Sequence, residues 1–294
     1  MTDEPNPQMV HVSMLGPSGI SPPADPPWTV DTLIARLIAA RRGGERVTAE
    51  RILSAIRNSD AAYQVQARVD AALWPDASAT VWKAGADSRD SLPTAAPIAP
   101  ALVYSSSATS PATIAAASFT TRIVEAEIAY RFGDDLPPRA TPYTMDEVAE
   151  AIAAMHVAIE IVDPRIADFA TASPLAKLAD HLVNGAFVLG DGISNWRRID
   201  LRKQKATLAL DGKVHEAVTG SHSLGNPAVL LPWFVAHLGR LPTWNEEDAG
   251  PPRGVKAGDV VTTGSWTKVV EARAKQRVDV TFADIGTATV TFVV

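Results

Sequence analysis

Glu125 and Glu127 stand two residues apart in Ile123-Val124-Glu125-Ala126-Glu127-Ile128-Ala129-Tyr130, a stretch with no other charge. On a strand, residues i and i+2 project to the same side. Both carboxylates therefore share a face with Ile123 and Ala129, while Val124, Ala126 and Ile128 take the other. Neighbouring carboxylates on an apolar strand repel one another and are costly to desolvate. A hard divalent cation such as Mg²⁺ or Mn²⁺ resolves the conflict, because it takes carboxylate oxygens and leaves positions open to substrate oxygens. The plain alternative is an edge strand with a solvated glutamate face. Glu160 adds weight to the metal. In the alternating segment His156 to Val162 it lies opposite Val157, Ile159 and Ile161. Two apolar strands then offer three carboxylates, enough for one face of an octahedral site.

Lys83 is the second chemical candidate. It follows Val81-Trp82 and precedes Ala84-Gly85. A lysine beside a cavity serves as a base if its pKa falls, or pairs with an anionic substrate. Its plain alternative is a strand-end lysine with the ammonium in water.

Other chemistries lack their residues. There is no GxxxxGK[ST], and no GxGxxG follows a strand, so nucleotide phosphates have no cradle. Gly220-Ser221-His222-Ser223-Leu224-Gly225 lacks the GxSxG spacing of a nucleophile elbow, and the six histidines form no HExxH. With no Cys, disulfides, thiolate metal sites and thiol nucleophiles are excluded. The 27 Lys+Arg against 33 Asp+Glu leave a formal charge of −6, which argues against a broad nucleic-acid surface. The opening MTDEPNPQ has neither the basic nor the apolar region of a signal peptide. The longest apolar run, Ala228 to Ala236, falls far short of the roughly 20 residues that span a bilayer. The expectation is a cytoplasmic protein with neither a membrane nor a nucleic-acid partner.

Positioning these groups requires a scaffold. Residues 1–28 are proline-rich and expected to be a flexible tail. Val30, Leu33, Ile34, Leu37 and Ile38 share a helical face behind Thr29, and a second helix is expected from Thr48 to Leu73. These make a small helical lobe over residues 29–78, with a mixed β catalytic domain over 79–294. Ala79 to Trp82 reads as a short strand with Lys83 at its end. Between Ser105 and Thr121 all residues but Ile114 and Phe119 are Ala, Ser, Thr or Pro, fitting either a disordered linker or a close-packed irregular connection. Thr144-Met145-Asp146-Glu147 is a capping box, opening a helix that continues through Ile152 and Met155. Asp211-Gly212 turns a hairpin between Lys205–Leu210 and Val214–Val218. Asn226-Pro227 opens a helix that Gly239 closes and Pro232 bends. A final hairpin turns about Asp284-Ile285-Gly286. The sum is α+β.

Six segments, in order from about residue 30 to the end, resemble the 2-keto-4-pentenoate hydratase / 2-oxo-3-enedioate decarboxylase branch of the fumarylacetoacetate hydrolase superfamily. They are Ala62-Tyr63-Gln64-Val65-Gln66, Trp82-Lys83-Ala84-Gly85, Glu125-Ala126-Glu127-Ile128-Ala129, Ala158 to Ile166, Leu224-Gly225-Asn226-Pro227 with His237-Leu238, and Gly258 to Ser265. The resemblance implies a mixed β-sandwich roll with a small N-terminal helical lobe, as a homo-oligomer. It implies Mg²⁺ or Mn²⁺ on Glu125, Glu127 and Glu160, with Lys83 handling protons and Ser265, His181 and Asn184 on the substrate side. The implied ligand is a 2-keto or 2-hydroxydienoate acid, and the implied reaction is hydration through an enolate. Decarboxylation, C–C hydrolysis, or a diverged accessory role beside a partner decarboxylase or aldolase are the alternatives. Departures cluster in the substrate wall: Ile98 falls where an acidic residue is usual, and His181 and Val183 replace Asn and Ser.

Overall fold

In the computed structural model, residues 26–240 and 252–294 are described. The expected tail falls almost wholly outside them, except that the Trp28 N–H donates to Ser54 Oγ at 3.0 Å.

The chain enters through three helices, α1 (Val30–Arg41), α2 (Ala49–Ala55) and α3 (Ser59–Leu73), each capped by a side-chain oxygen from Thr29, Thr48 and Asn58 respectively. The single helix expected from Thr48 to Leu73 is broken. Ile56 turns extended at ψ 153° and is buried, and Asn58 accepts from the Ala61 N–H to start a new helix. A buried apolar anchor followed by an N-cap overrides the continuous helical period.

Strand β1 (Val81–Gly85) follows, so Lys83 lies mid-strand rather than at a strand end. Next come β2 (Thr94–Ile98), β3 (Val103–Ser105) and β4 (Ala112–Ala115). The Ala/Ser/Thr stretch is thus a packed connection: β4 pairs in parallel with the last strand and buries Ala112 and Ile114. Small side chains let it lie close against a sheet.

The central hairpin is β5 (Ile123–Phe132) and β6 (Ile152–Val162), joined through α4 (Met145–Ala151). The capping box at Thr144 and Glu147 is formed. The helix stops at Ala151, not Met155, because Ile152 and Met155 are paired with Phe132 and Tyr130. Ten-residue pairing with β5 outweighs local helical preference. After α5 (Pro174–Ala179) comes β7 (Asn184–Ile193), then the hairpin β8 (Lys205–Leu210) and β9 (Lys213–Thr219). Its turn places Asp211 and Gly212 at φ 51° and 76°, the left-handed pair that suits the strand twist. Helix α6 (Leu231–Leu238) has Pro232 in its first turn, where no N–H is needed, so the proline starts the helix instead of bending it. The chain closes with β10 (Val260–Ser265), β11 (Val270–Glu271), β12 (Arg277–Phe282) and β13 (Gly286–Val293).

Two sheets result. The larger runs β2-β1-β10-β5-β6-β7-β3, with β11 on β5, and the smaller β4-β13-β12-β8-β9. They sandwich the main core, in which Val124, Ala126, Ile128, Val157, Ile159 and Ile161 meet Val278, Val280, Phe282, Val290 and Phe292. The sheets approach closely at Gly190, where a Cβ would lie 2.6 Å from Ala288 Cβ. The other face of the large sheet curls inward. Val81, Ile98, Ala129, Ala158, Phe187 and Val260, from six different strands, form one buried cluster there. Only Ala99 and a short 3-10 turn at Pro100–Leu102 separate the edge strands β2 and β3 in the chain. The result is a mixed β-sandwich roll. The helices pack over one end of the curl, sharing a core with Val162, Ile166, Ala176 and Leu178.

Candidate metal centre

The inward face of the curled sheet carries the chemistry. Register places Glu125 opposite Glu160, Glu127 opposite Ala158, and Lys83 opposite Thr262. Below them the apolar cluster closes the roll. One carboxylate oxygen from each of Glu125, Glu127 and Glu160 falls in a group whose members all lie within 4.8 Å of one another. Glu127 and Glu160 are fully buried, and Glu125 keeps 18% of its side-chain surface at the rim.

Each buried carboxylate has one oxygen satisfied and one without a partner. Glu127 Oε2 accepts from the Thr262 hydroxyl. Glu160 Oε1 accepts from Lys83 Nζ at 2.7 Å and from Asn184 Nδ2 at 3.2 Å. Glu127 Oε1 and Glu160 Oε2 have no hydrogen-bond partner. A buried unpaired carboxylate oxygen is costly, and two of them in an all-oxygen cluster are the donor set a hard divalent cation takes. The residues fit such an ion.

The electrostatics agree. Burial, then the neighbouring Glu160 and Glu125 charges, raise the Glu127 pKa well above the carboxylate range, against the pull of Lys83 and Thr262. Burial likewise raises Glu160, opposed chiefly by Lys83. For Lys83 burial favours the neutral amine, but Glu160, Glu125 and Glu127 together outweigh it and hold the ammonium more firmly than in water. The lowered pKa considered for a basic lysine is therefore reversed while the carboxylates carry no other cation. Lys83 also reaches the Leu182 carbonyl at 3.3 Å and Glu125 Oε2 at 3.9 Å.

Of the residues expected on the substrate side, Asn184 joins this group through Glu160. Ser265 is paired with Glu127 across the β10–β5 ladder, and its hydroxyl donates to the Thr267 carbonyl at 2.9 Å. His181 is buried next to this region, but its Nε2 faces Asp70 Oδ1 of α3 at 2.9 Å. Ile98 belongs to the apolar floor and Val183 to the helical core. Two participants escaped the sequence reading. Thr262 was visible in principle, since the alternation Val260, Thr262 shares the Lys83 face. The Leu182 carbonyl was not, because a backbone oxygen has no signature in side-chain types.

Comparisons with known proteins bear on this geometry. A family model described as fumarylacetoacetate (FAA) hydrolase C-terminal matches residues 77–293. A 2-keto-4-pentenoate hydratase of Burkholderia vietnamiensis is 36% identical over 151 residues, 51% of this chain and 53% of that protein. The chain thus spans about half the length of the curated relatives it matches. The solved 4-oxalocrotonate decarboxylase from Pseudomonas putida G7, complexed with magnesium and adipate, superposes with a TM-score of 0.73 at 19% identity, covering 90% of this chain and 98% of that one. Fumarylpyruvate hydrolase from Pseudomonas aeruginosa, with Mn²⁺ and pyruvate, gives 0.54 at 14% identity over 73% and 89% of the two chains. At those identities the structural likeness concerns the fold. No helix among the described residues is long and apolar enough to cross a membrane.

Proposed function

This chain belongs to the fumarylacetoacetate hydrolase C-terminal family, and from that premise we propose that it is a divalent-metal-dependent hydratase adding water to a 2-hydroxy-2,4-dienoate, or 2-keto-4-enoate, acid. The observation that carries the reading is the pair of unpartnered, fully buried oxygens, Glu127 Oε1 and Glu160 Oε2, beside a lysine. Glu125, Glu127 and Glu160 would hold Mg²⁺ or Mn²⁺, whose bound chemistry is electrophilic, favouring negative charge on the oxygens of a 2-keto acid.

The remaining roles fall to the chain. Lys83 Nζ, held beside Glu160 Oε1 at 2.7 Å, carries the proton delivered to substrate carbon as a dienol becomes a ketone. Glu160 Oε1 and the Leu182 carbonyl fix that ammonium from two sides. Asn184 orients Glu160, and Ser265 and His181 complete the substrate side. The apolar floor of Ala129, Ala158, Phe187 and Val260 excludes water from beneath, so reaction water enters from the Glu125 rim. The proposed organisation is a catalytic domain over residues 79–294 with a helical lobe at 29–78, acting as a homo-oligomer.

Incubation with 2-hydroxypenta-2,4-dienoate and Mg²⁺ should bleach the dienoate absorbance and give a hydrated keto acid. Release of CO₂ or of two acid fragments would reassign the chain to decarboxylation or C–C hydrolysis. Tight Mn²⁺ binding without turnover on any such acid would leave an accessory role beside a partner decarboxylase or aldolase.

A further inference from the structure

Between α5 and β7 the chain does something that L-amino acids avoid. His181, Leu182 and Val183 take φ values of 52°, 53° and 61° in succession, with no glycine among them and a β-branched residue last. Left-handed backbone of this kind persists only where the surroundings over-determine it. Here they do. Arg165 is 4% exposed and spends its guanidinium on the two ends of the turn. Its Nε donates to Asp180 Oδ1 at 2.6 Å, its Nη2 to the Asp180 carbonyl at 3.0 Å, and its Nη1 to the Asn184 carbonyl at 2.8 Å and to that of Asp163. The Arg165 N–H takes the other Asp180 oxygen at 2.9 Å. Within the turn the Val183 N–H donates to the Asp180 carbonyl at 2.8 Å, and the Val183 carbonyl accepts from Asp163 at 3.0 Å. His181 fastens the first residue to Asp70.

The turn touches both members of the Lys83–Glu160 pair. Leu182 presents its carbonyl to Lys83 Nζ, and the next residue after the turn, Asn184, presents its amide to Glu160 Oε1. We propose that Arg165 is a positioning residue: it holds the strained turn 181–183 so that the Leu182 carbonyl fixes the Lys83 ammonium. For catalysis this rests on the reading of Lys83 as the proton carrier. A guanidinium suits the task because its planar fork reaches three carbonyls and a carboxylate at once, whereas lysine at the same place is a point charge.

Arg165→Lys keeps the charge opposite Asp180 and loses the fork. Misplacement of a reacting group by about 1 Å costs on the order of 10²-fold in rate, so kcat should fall by up to that factor with KM nearly unchanged. In the metal-free protein, Lys83 should be acylated faster by an amine reagent, read by peptide mass spectrometry. Adding Leu182→Gly should restore part of both readings, because glycine relieves the left-handed strain at the one of the three positions whose carbonyl meets Lys83. A folded Arg165→Lys variant with wild-type kcat and wild-type Lys83 acylation would overturn the proposal. So would a loss that Leu182→Gly fails to rescue. If Arg165→Lys does not fold, Asp70→Ala, which unfastens His181 from the partly exposed side, gives the same two readings. If the wild type turns over no dienoate, the acylation measurements alone decide the turn's role, and it is the assigned reaction that fails.

Discussion

Replacing Glu127 by Gln should make the metal-free protein more stable while destroying its response to metal. The contributing carboxylate oxygens lie within 4.8 Å of one another. At an effective dielectric constant of about 20, two like charges at that distance repel by roughly 3.5 kcal/mol. Glu127 faces two such neighbours, with Lys83 as partial compensation. Its raised pKa relieves part of that repulsion by favouring the protonated form, and the amide removes what remains. Replacing buried ionic groups by neutral side chains of similar volume stabilises by up to about 1–4 kcal/mol, and we take that range for Glu127→Gln. At about 2 °C per kcal/mol for a chain of this size, the melting temperature in EDTA should rise by roughly 2–8 °C. The sign with pH is fixed. Because the folded pKa is raised, Glu127 supports folding below its unfolded pKa and loses that support as pH rises through the folded value, so the variant's advantage should grow with pH. Wild type in Mn²⁺ at 100 times Kd should gain about 2.7 kcal/mol; the variant should gain almost nothing. A variant that melts several degrees lower in EDTA yet keeps the full Mn²⁺ shift would refute the site assignment.

Lys83→Met should bind Mn²⁺ at least as tightly as wild type by calorimetry, since a competing cation leaves Glu160, while turnover drops about 10²–10⁴-fold. His237, stacked on Trp233 at 4.7 Å and packed on Tyr63 at 4.8 Å, is lowered to about 4 by burial and by Arg240. A depressed histidine supports the fold above its unfolded pKa near 6.5, and that support fades as pH falls toward 4; at about 1.4 kcal/mol per unit this is roughly 3 kcal/mol. His237→Phe should flatten that limb of an acid denaturation series, and an unchanged slope would remove His237 from the account. Gly190→Ala should cost about 1–3 kcal/mol in urea denaturation, because its Cβ would fall 2.6 Å from the Ala288 Cβ and the Thr287 carbonyl of the facing sheet. Thr144→Ala, which removes one half of the capping box, should cost about 1 kcal/mol by the same measurement.

The sequence exposed the glutamates because a charge on an apolar strand is an energetic contradiction visible in residue types alone. The two-residue period put Glu125 and Glu127 on one face of their strand and Glu160 opposite the apolar residues of its own, and the hairpin register then set Glu125 against Glu160 and brought the three onto one face. The same local logic misread places where distant partners decide. Residues 152–155 fit a helical period as well as a strand, and only β5 lying alongside makes them strand. The Ala/Ser/Thr run could not be resolved by composition, because its order comes from β13, far along the chain. The left-handed turn is the extreme case. His181, Leu182 and Val183 have no intrinsic reason to adopt positive φ, and every group that forces them to, from Asp70 to Arg165, is fixed by tertiary contacts. Side-chain chemistry was therefore legible where it violates local expectations, and backbone chemistry was hidden because its violation appears only after folding. That division explains why the candidate ligands could be named from sequence while the carbonyl that fixes the Lys83 ammonium could not.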